Sequence, residues 1–340
     1  MNEPTMADIA SHVGVSRQSV SIVLREMPGA SEETRRRVLQ AARQLGYKPH
    51  LTASSLRQYT DRQLGVAFAP THATEPDIVE AIYPVAAQSG YRVILSAQTK
   101  TRSTEQAVEE LLGYRCAAVI LIGSDLSQRD LAGLTGKMNV PAVVVGVGKK
   151  NETHDVVRSD GAQGTAEMVR HLVSLGHTRI AYVHAGAMPP GAVRLQGYRA
   201  AMSAAGLAQD IVRVNRSDYT EEAGAEAARR LLRRDALPTA VATGNDQQAI
   251  GVLQVLARAG VSIPGDVSLT GFDDSRFARL SSVDLTTVGQ DPQEMGKAAV
   301  AAVVRRISSP DLQPEVHLIE PRLVLRSTTS ALNASSENDR

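Results

Sequence analysis

The chain has 340 residues, enough for two or three domains, and its hydrophobic content of 43% is ordinary for a globular protein. The net charge of +1 favours no class of partner, but residues 1–62 hold nine Lys or Arg against six Asp or Glu. A single cysteine, Cys116, excludes a disulfide framework, and no apolar run is long enough to span a bilayer. The first residues lack the basic and apolar regions of an export signal, so we expect a cytoplasmic protein.

The stretch from Thr5 to Leu24 has the pattern of two short helices around a tight turn. Thr5 and Asp8 have the spacing of a capping box, which predicts the start of the first helix. Gly14 predicts its end, because glycine enters the left-handed conformation without strain. Ser16 then predicts the cap of a second helix. Two helices with this spacing are the sequence form of a helix-turn-helix.

The outward N-terminal end of the second predicted helix carries Arg17, Gln18 and Ser21. In a helix-turn-helix this end enters the major groove of DNA. There Arg can bind guanine through two hydrogen bonds, and Gln can bind adenine in the same way. The alternative is a small surface hairpin with a solvated polar face. With a third helix after Ser31, the pattern predicts a DNA-binding head over residues 1–48.

Residues 49–62 have the composition of a connecting segment. Pro49 interrupts the helical pattern, and Leu51–Gln58 is too short and too weakly apolar for a stable isolated helix. One interpretation is a flexible linker. The other is a hinge that becomes helical only against DNA.

From Leu64 onward, short apolar runs rich in β-branched residues alternate with helical stretches, as in βαβ units on a buried parallel sheet. The first set of predicted strands is LGVAFA, YRVILSA, CAAVILIG and PAVVVGV, and the second is DVVRSD, RIAYVHA, IVRVN, TAVATG and VSLTGF. A third part holds DLTTVGQ, a helix, EVHLIE and RLVLRS. The predicted fold is therefore an all-α helix-turn-helix head joined to an α/β core of two doubly wound parallel-sheet lobes.

The predicted core covers residues 63–330. Its first lobe comprises about 63–157 and 290–321, and its second lobe about 158–289 and 322–330. The polar residues 331–340 are expected to form a disordered tail.

Polar and aromatic side chains follow the predicted strands, where ligands bind in open α/β sheets. Carboxylate and amide oxygens with an Arg can bind vicinal hydroxyls, and an aromatic face can stack on a sugar ring. The sequence therefore predicts a site for a small polar ligand. The strand-end candidates are Phe68 to His72, Ser96 to Gln98, Ser124, Asp160, Arg194, Asp218, Tyr219, Asn245, Asp246, Phe272 and Asp273.

Several motifs together resemble the lactose-repressor/galactose-repressor (LacI/GalR) family of bacterial transcription regulators. They are DIASHVGVS, VSIVL, ETRRRVLQAARQLGYKP, LGHTRIAYV, RLQGYRAAM, PTAVATGNDQQAIGVL, IPGDVSLTGFDD and LTTVGQD, and they extend from Thr5 to about Thr328. The resemblance implies a DNA-binding head, a hinge helix, and a dimeric core shaped like periplasmic sugar-binding proteins.

The resemblance also implies roles for individual residues. The family's base-reading positions are matched by Arg17 and Gln18, and the leucine wedged into the minor groove is matched by Leu56. The predicted DNA-binding set also includes Thr5, Ser16 and Ser21 from the helix-turn-helix pattern. Its effector-binding positions are matched by Asp160, Arg194, Asn245, Asp273 and Gln290, and an aromatic position is matched by Tyr219. The predicted effector set also includes the strand-end residue Phe68. The implied function is sequence-specific repression as a homodimer, controlled by a sugar or sugar derivative bound between the lobes. No cofactor and no metal is expected.

Two stretches depart from the family pattern. Ile22 stands where members often have a polar residue, and APTHATEP after the first core strand matches no subgroup. The operator and the effector therefore do not follow from the resemblance, nor does the direction of the effector's action. Two other classes of protein are alternatives: an exported sugar-binding protein, which would need a signal peptide, and an enzyme, for which no catalytic or metal-ligand motif is found.

Overall fold

The computed structural model describes residues 4–24, 27–47, 62–70, 73–124, 126–146, 148–149, 151–184, 189–213 and 219–332. Several predicted features lie outside these ranges: the hinge with Leu56, the strand-end candidates Thr71, His72 and Asp218, and residues 333–340 of the tail. The chain divides into two compact units, Met1–Tyr59 and Thr60–Arg340, which we call the head and the core.

Three helices form the described part of the head: α1 (Met6–Val13), α2 (Arg17–Leu24) and α3 (Glu32–Gln44). The predicted capping box is present, since the Thr5 side chain accepts the Asp8 N–H and the Asp8 side chain accepts the Thr5 N–H. Gly14 ends α1 with φ of 73°, in the left-handed region that favours glycine. The three helices share one small hydrophobic core that includes Ile9, Val20 and Val38.

The first lobe of the core is built on a six-stranded parallel sheet. The strands are β1 (Gln63–Phe68), β2 (Arg92–Ala97), β3 (Ala118–Ile122), β4 (Ala142–Val145), β5 (Asp155–Ser159) and β11 (Val316–Ile319), and the helices are α4 (Glu75–Gln88), α5 (Thr104–Gly113), α6 (Gln128–Thr135) and α11 (Pro292–Ser308). The strand order is β11-β5-β4-β3-β1-β2. The central strands β3 and β4 are fully buried, as expected for a parallel sheet covered on both faces. One face packs against α4 and α11, and the other against α5 and α6.

The second lobe has a four-stranded parallel sheet with a two-stranded antiparallel ribbon beside it. The strands are β6 (Ile180–His184), β7 (Asp210–Arg213), β8 (Ala240–Thr243), β9 (Ser268–Thr270), β10 (Thr287–Gly289) and β12 (Arg322–Val324), and the helices are α7 (Gly161–Ser174), α8 (Pro189–Ala204), α9 (Glu221–Leu231) and α10 (Asp246–Arg258). The sheet has the order β7-β6-β8-β9, and the ribbon consists of β10 and β12. Helices α7 and α8 cover one face of the sheet, and α9 and α10 cover the other.

The chain passes between the two lobes three times, after β5, after β10 and after β11. These crossings are short, which is the construction of a hinge between two rigid bodies. They place Asp160 and Gln290 at the junction of the lobes. The fold class predicted from the sequence is confirmed: a helical head and an α/β core with two parallel-sheet lobes.

Three details of the sequence prediction are wrong. The strand DVVRS, assigned to the second set, pairs with β4 in the first sheet, because a nine-residue connection returns the chain to the neighbouring position without a helix. Arg194 does not follow a strand but lies inside α8, which begins at Pro189. The predicted disordered tail begins too early, since the Leu332 N–H donates to the Leu175 carbonyl at 2.8 Å.

Candidate functional sites

The N-terminal end of α2 presents the predicted base-reading side chains. Ser16 caps the helix by accepting the Ser19 N–H at 3.0 Å, and Arg17 and Gln18 are exposed in its first turn. Ser21 is half-buried one turn further on. Because residues four apart lie on one face of a helix, Arg17 and Ser21 point the same way. This end of α2 can therefore offer a guanidinium, an amide and a hydroxyl to one ligand surface.

Thr5 and Ser16 differ from the base-reading residues because their side chains cap helices. The Thr5 hydroxyl donates to Asp8 Oδ2 at 2.7 Å, so it is engaged in the cap of α1. Both residues stand at helix N-termini, where free backbone N–H groups favour anions. Such positions suit DNA phosphates better than base edges.

Two arginines of α3 donate hydrogen bonds to backbone carbonyls in other parts of the head. The Arg37 guanidinium donates to the Val13 carbonyl at 2.5 Å, and that of Arg35 donates to the Met27 carbonyl at 3.0 Å. The sequence alone leaves open whether these side chains reach phosphate or are solvated. The structure shows instead that each satisfies a carbonyl near a helix end, where no intrahelical partner exists.

Arg194 is the centre of a buried cluster in the second lobe. Its Nη2 lies 3.2 Å from Asp273 Oδ1, and its Nη1 donates to the Gly244 carbonyl. The guanidinium carbon lies 3.8 Å from the centroid of the Phe272 ring, a cation–π distance. Burial disfavours the charged guanidinium, but the neighbouring acids and phenols outweigh burial and raise the Arg194 pKa. The cation is therefore held in place without direct exposure to solvent.

Asp273 joins Arg194 to the junction of the lobes. Besides Arg194, its Oδ1 accepts the Gln290 Nε2–H at 2.5 Å, and its backbone N–H donates to the Val288 carbonyl. Its φ of 120° is unusual for a residue with a side chain, so the surrounding structure must impose this conformation. The predicted residues Arg194, Asp273 and Gln290 thus form one connected network.

Asn245 and Tyr219 lie beside this network. Asn245 caps α10 by accepting the Gln248 N–H at 2.9 Å, and its Nδ2 donates to the Tyr219 carbonyl at 3.0 Å. The Tyr219 ring centroid lies 5.5 Å from the Arg194 guanidinium carbon. Among the described residues, the buried Tyr219 hydroxyl has no hydrogen-bond partner. A buried hydroxyl without a partner is costly, so it is available to a ligand group.

Asp160 approaches the same cluster from the first crossing between the lobes. Its side chain caps α7 by accepting the Gln163 N–H at 3.1 Å. The next residue, Gly161, packs against Arg194, since a Cβ added there would lie 3.2 Å from Arg194 Cγ. The structure therefore brings together six of the seven predicted effector residues. Five of them are connected by contacts, and the sixth, Asp160, lies next to this group.

Phe68 is the predicted effector residue that the structure does not bring into this group. It ends β1 in the first lobe and packs against the hydrophobic core of that lobe. No described contact joins it to Arg194 or Asp273. Its assignment as an effector contact stays a prediction.

A second carboxylate lies beneath the cluster. Asp246 is fully buried and accepts the Thr287 hydroxyl at 2.5 Å and the Ser275 N–H at 2.7 Å. Burial, followed by the nearby Asp273 carboxylate, raises the pKa of Asp246 to about 7. The sequence offered Asp246 only as one strand-end candidate, because no local pattern shows that a carboxylate is buried.

The first lobe contributes a buried acid that the sequence analysis missed. Glu75 opens α4, and its Oε2 accepts the Ala69 N–H at 2.6 Å at the end of β1. A Cβ added at Gly123, which follows β3 with φ of 61°, would lie only 1.6 Å from Glu75 Oε1. The available signal was an acid in the first turn of a helix that follows a strand. Such a carboxylate is stabilised by the helix N-terminus.

A cavity of about 440 Å3 opens between the lobes next to this network. The first lobe lines it with Asp77 and Glu80 of α4, and the second lobe with Asp273, Asp274 and Arg322. Gln290 lies at the crossing between the two sides. The volume suits a small polar molecule, and a ligand there would contact residues of both lobes.

Two family models match the chain. The model of bacterial regulatory proteins of the lacI family matches residues 5–50, and the periplasmic binding protein-like domain matches residues 169–329. The first covers the helix-turn-helix with its exposed Arg17 and Gln18. The second covers most of the second lobe. No helix among the described residues is long and apolar enough to cross a membrane.

Similar proteins of known name are transcriptional repressors. The chain is 30% identical over 339 residues to the HTH-type transcriptional repressor PurR of Glaesserella parasuis serovar 5 (strain SH0165), covering 97% of this chain and 99% of that protein. It is 30% identical over 329 residues to the ribose operon repressor of Escherichia coli (strain K12), covering 95% and 99%.

A solved structure is similar over nearly the whole chain as well. The lac repressor dimer bound to operator and the anti-inducer ONPF matches with a TM-score of 0.81 and 27% identity. The match covers 97% of this chain and 100% of the repressor chain. These relatives are transcription regulators and not enzymes. The family predicted from the sequence motifs is confirmed: the chain belongs to the LacI/GalR family of bacterial transcription regulators.

Proposed function

We propose that the protein is a repressor that binds a two-fold-related operator as a homodimer and changes its operator affinity when a sugar-like effector binds between the core lobes. The observation that carries the proposal is the Arg194–Asp273–Gln290 network at the junction of the lobes. Two of its members, Asp273 and Gln290, line a cavity that both lobes border, and Arg194 pairs with Asp273 behind them. A regulator of this kind acts on the chromosome, in the cytoplasm.

The proposed DNA contacts follow from the exposed end of α2. Arg17 and Gln18 would bind base edges in the major groove, while the helix N-termini at Thr5 and Ser16 would bind phosphates. Ser21 lies one turn from Arg17 and would contact the neighbouring position. Leu56, outside the described residues, would enter the minor groove at the centre of the operator.

The proposed effector contacts come from groups that bind hydroxyls. The Arg194 guanidinium, the Asp273 carboxylate and the Gln290 amide offer charge-assisted and neutral hydrogen bonds to vicinal hydroxyls. The Tyr219 ring lies beside Arg194, and its hydroxyl has no partner among the described residues. Asp160 and Asn245 border the same site. This set of donors and acceptors suits a sugar or sugar derivative better than an apolar ligand.

Regulation would follow from the position of the site between the lobes. A ligand that contacts both lobes binds their open and closed arrangements unequally, and only this difference in affinity can shift the equilibrium between them. By reciprocity, the same coupling free energy changes the affinity for DNA. The sign of the change decides whether the effector releases the operator or favours its binding.

A homodimer fits both the relatives and the sequence. The similar lac repressor structure is a dimer on its operator. One helix-turn-helix reads only a half-site, and dimers place two of them about 34–36 Å apart. Residues 331–340 contain one leucine and no heptad pattern, so nothing there favours a larger assembly. Light scattering is expected to give twice the chain mass of 36.2 kDa.

The test begins with footprinting of genomic DNA by the full-length protein, which identifies the operators. Operator duplexes are then titrated with protein in the presence of individual sugars suggested by the neighbouring genes. We expect a two-fold-related footprint and a change of at least tenfold in operator affinity with one sugar. A protein that protects no specific sequence would overturn the proposal, as would one whose operator affinity no polar metabolite changes.

The base-reading role of Arg17 has its own test. Arg17→Ala is expected to weaken operator binding by ~1–3 kcal/mol and to relax the preference at one base pair, because a pair of hydrogen bonds to a base is removed. Binding to random DNA should change much less. An equal loss on operator and random DNA would assign Arg17 to a phosphate instead.

A further inference from the structure

The amino-terminal edge of the first sheet carries a row of basic side chains. In the order β4-β3-β1-β2, the segments that enter these strands contain Lys137, Arg115, Arg62 and Arg92. All four side chains are exposed. Neighbouring strands lie about 4.8 Å apart, so four strands place the row over roughly 15 Å. We call these four residues the basic edge.

Three of the four segments that form the basic edge contain no acidic residue, and the fourth has Asp61 next to Arg62 in the sequence. Residues 89–92, 113–117 and 136–141 contain no Asp or Glu. At the opposite end of the same sheet, Glu75 and Asp77 follow β1, and Asp160 follows β5. The opposite end therefore carries acids together with cations such as Lys100 and Arg129, whereas most segments of the basic edge carry cations without acids.

The side chains of the basic edge are placed to act together. Arg115 and Lys137 line one cavity of about 530 Å3, with Asn139 beside them and Leu112 among the apolar lining residues. Among the described residues, no acid forms an ion pair with Arg115 or Lys137. A Cβ added at Gly90 would lie 3.5 Å from Arg62 Nη1, so Arg62 lies over the turn that precedes Arg92.

We infer that the basic edge binds the phosphate backbone of DNA outside the bases read by α2. The inference rests on the proposed function, because it requires DNA to be held by the head. The chain from the head reaches the core at this edge, where Arg62 precedes β1. The connecting residues 48–61 span at most about 50 Å when fully extended, which limits how far bound DNA can lie from the basic edge.

This contact would be independent of sequence. Lys and Arg beside an Asn are the usual ligands of phosphate oxygens, and they carry no information about bases. Each phosphate neutralised releases condensed counterions, so the contact appears as a steeper dependence of binding on salt. The basic edge would thus add affinity for any duplex long enough to extend beyond the operator.

The test uses the full-length dimer and a random-sequence duplex of about forty base pairs, with binding measured by fluorescence anisotropy over a series of KCl concentrations. The variant Arg115→Gln/Lys137→Gln removes two charges and keeps side-chain length. We expect log K against log [KCl] to become shallower by roughly 0.9 for each phosphate that the variant no longer neutralises. The matched control is Lys100→Gln/Arg129→Gln, an exposed Lys and Arg on segments after β2 and β3 at the opposite edge of the same sheet. It should keep the wild-type slope.

Three results would overturn the inference. Equal slopes for the wild type and the basic-edge variant, with equal thermal midpoints, would show that the edge does not bind DNA and would leave the proposed function intact. Thermal stabilisation by inorganic phosphate that is absent in the variant, together with an unchanged slope, would identify a small-anion site instead. If the wild type binds no duplex at all, the proposed function and the inference both fail.

Discussion

The two core lobes have the same layered architecture, but the carboxylates that follow the carboxyl ends of their strands are stabilised in different ways. In the second lobe, Arg194, Asp273 and Gln290 bond to one another through their side chains, with Asp246 beneath them. In the first lobe, the buried Glu75 carboxylate bonds to a backbone N–H of its own lobe. The network joins an element of the second lobe to the crossing between the lobes, whereas the bond of Glu75 fixes a loop within the first lobe.

This difference indicates where a ligand could affect the hinge. A group that exchanges hydrogen bonds with Arg194 or Asp273 also changes the bond to Gln290 at the crossing. A group that contacts the first lobe near Glu75 meets a carboxylate already held by local backbone. We therefore expect the second lobe to couple ligand binding to the crossing between the lobes. The first lobe is expected to contact the ligand without changing its own hydrogen bonds.

The largest expected effect comes from breaking the network of the second lobe. Arg194→Ala removes the cation facing the buried Asp273 carboxylate, so the free energy of unfolding should fall by ~3–5 kcal/mol. Operator affinity without effector should stay near that of the wild type at a temperature where the variant is folded, while the response to effector disappears. Urea unfolding and operator titration measure the two quantities.

A matched control is the ion pair of Arg234 and Asp210 in the same lobe, whose side chains are 37% and 35% exposed. Arg234→Ala should cost only ~0–1 kcal/mol, because solvent screens exposed pairs. Asp273→Asn keeps an acceptor oxygen, so it should destabilise the protein less than Arg194→Ala. It should still weaken the binding of the effector. Equal stability losses for Arg194→Ala and Arg234→Ala would contradict the contrast between buried and exposed pairs.

The second prediction concerns Asp246 and pH. Its pKa is raised to about 7 by burial, against an ordinary value of 3.8, so the folded protein binds the proton more tightly than the unfolded chain. The contribution to stability is complete below about pH 3.8 and is lost as the pH rises to about 7. In Asp246→Asn, which cannot titrate, this falling component of the stability profile should disappear. Urea unfolding between pH 4 and pH 8 measures it.

A smaller effect is expected from the first lobe. Gly123→Ala forces a Cβ onto the Glu75 carboxylate and adds a side chain at a φ of 61°, so it should destabilise by ~1–3 kcal/mol. Gly113→Ala is the control, because a Cβ there meets nothing within 4 Å and its φ is not positive. That control should be neutral or slightly stabilising. A thermal midpoint of Gly123→Ala as high as that of Gly113→Ala would show that Glu75 moves without cost.

The smallest expected effect concerns His154 in the first lobe, whose contribution to stability should depend on pH with a sign opposite to that of Asp246. His154 is buried between the Thr135 and Thr153 hydroxyls, and burial lowers its pKa from 6.5 to about 4. At this residue the unfolded chain therefore binds the proton more tightly than the folded protein, and the His154 contribution to stability should rise with pH from about 4 to 6.5. In His154→Gln this rising component should vanish while the Asp246 component remains. A profile unchanged by the substitution would exclude His154 as its source.

Much of the fold could be predicted from the sequence because its signals are local. The Thr5–Asp8 capping box and Gly14 specify where α1 begins and ends. Short apolar runs separated by helical stretches specify the strands of both lobes. The sheet of DVVRS could not be predicted in this way. A short apolar strand has the same sequence pattern in either parallel sheet. Only its pairing with β4 shows that DVVRS belongs to the first sheet.

The candidate site shows the same division. Residue types at strand ends, together with the family resemblance, were enough to name Arg194, Asp273 and Gln290, but no local pattern revealed Glu75 as buried. The sequence by itself determined the helix-turn-helix, the two-lobed α/β class and the family, because caps, turns and periodicity act within a few residues. The tertiary structure alone decided that Arg194 pairs with Asp273, 79 residues away, and that four strand entries align as a basic edge. Such placements depend on strand order and burial, which no short stretch of sequence contains.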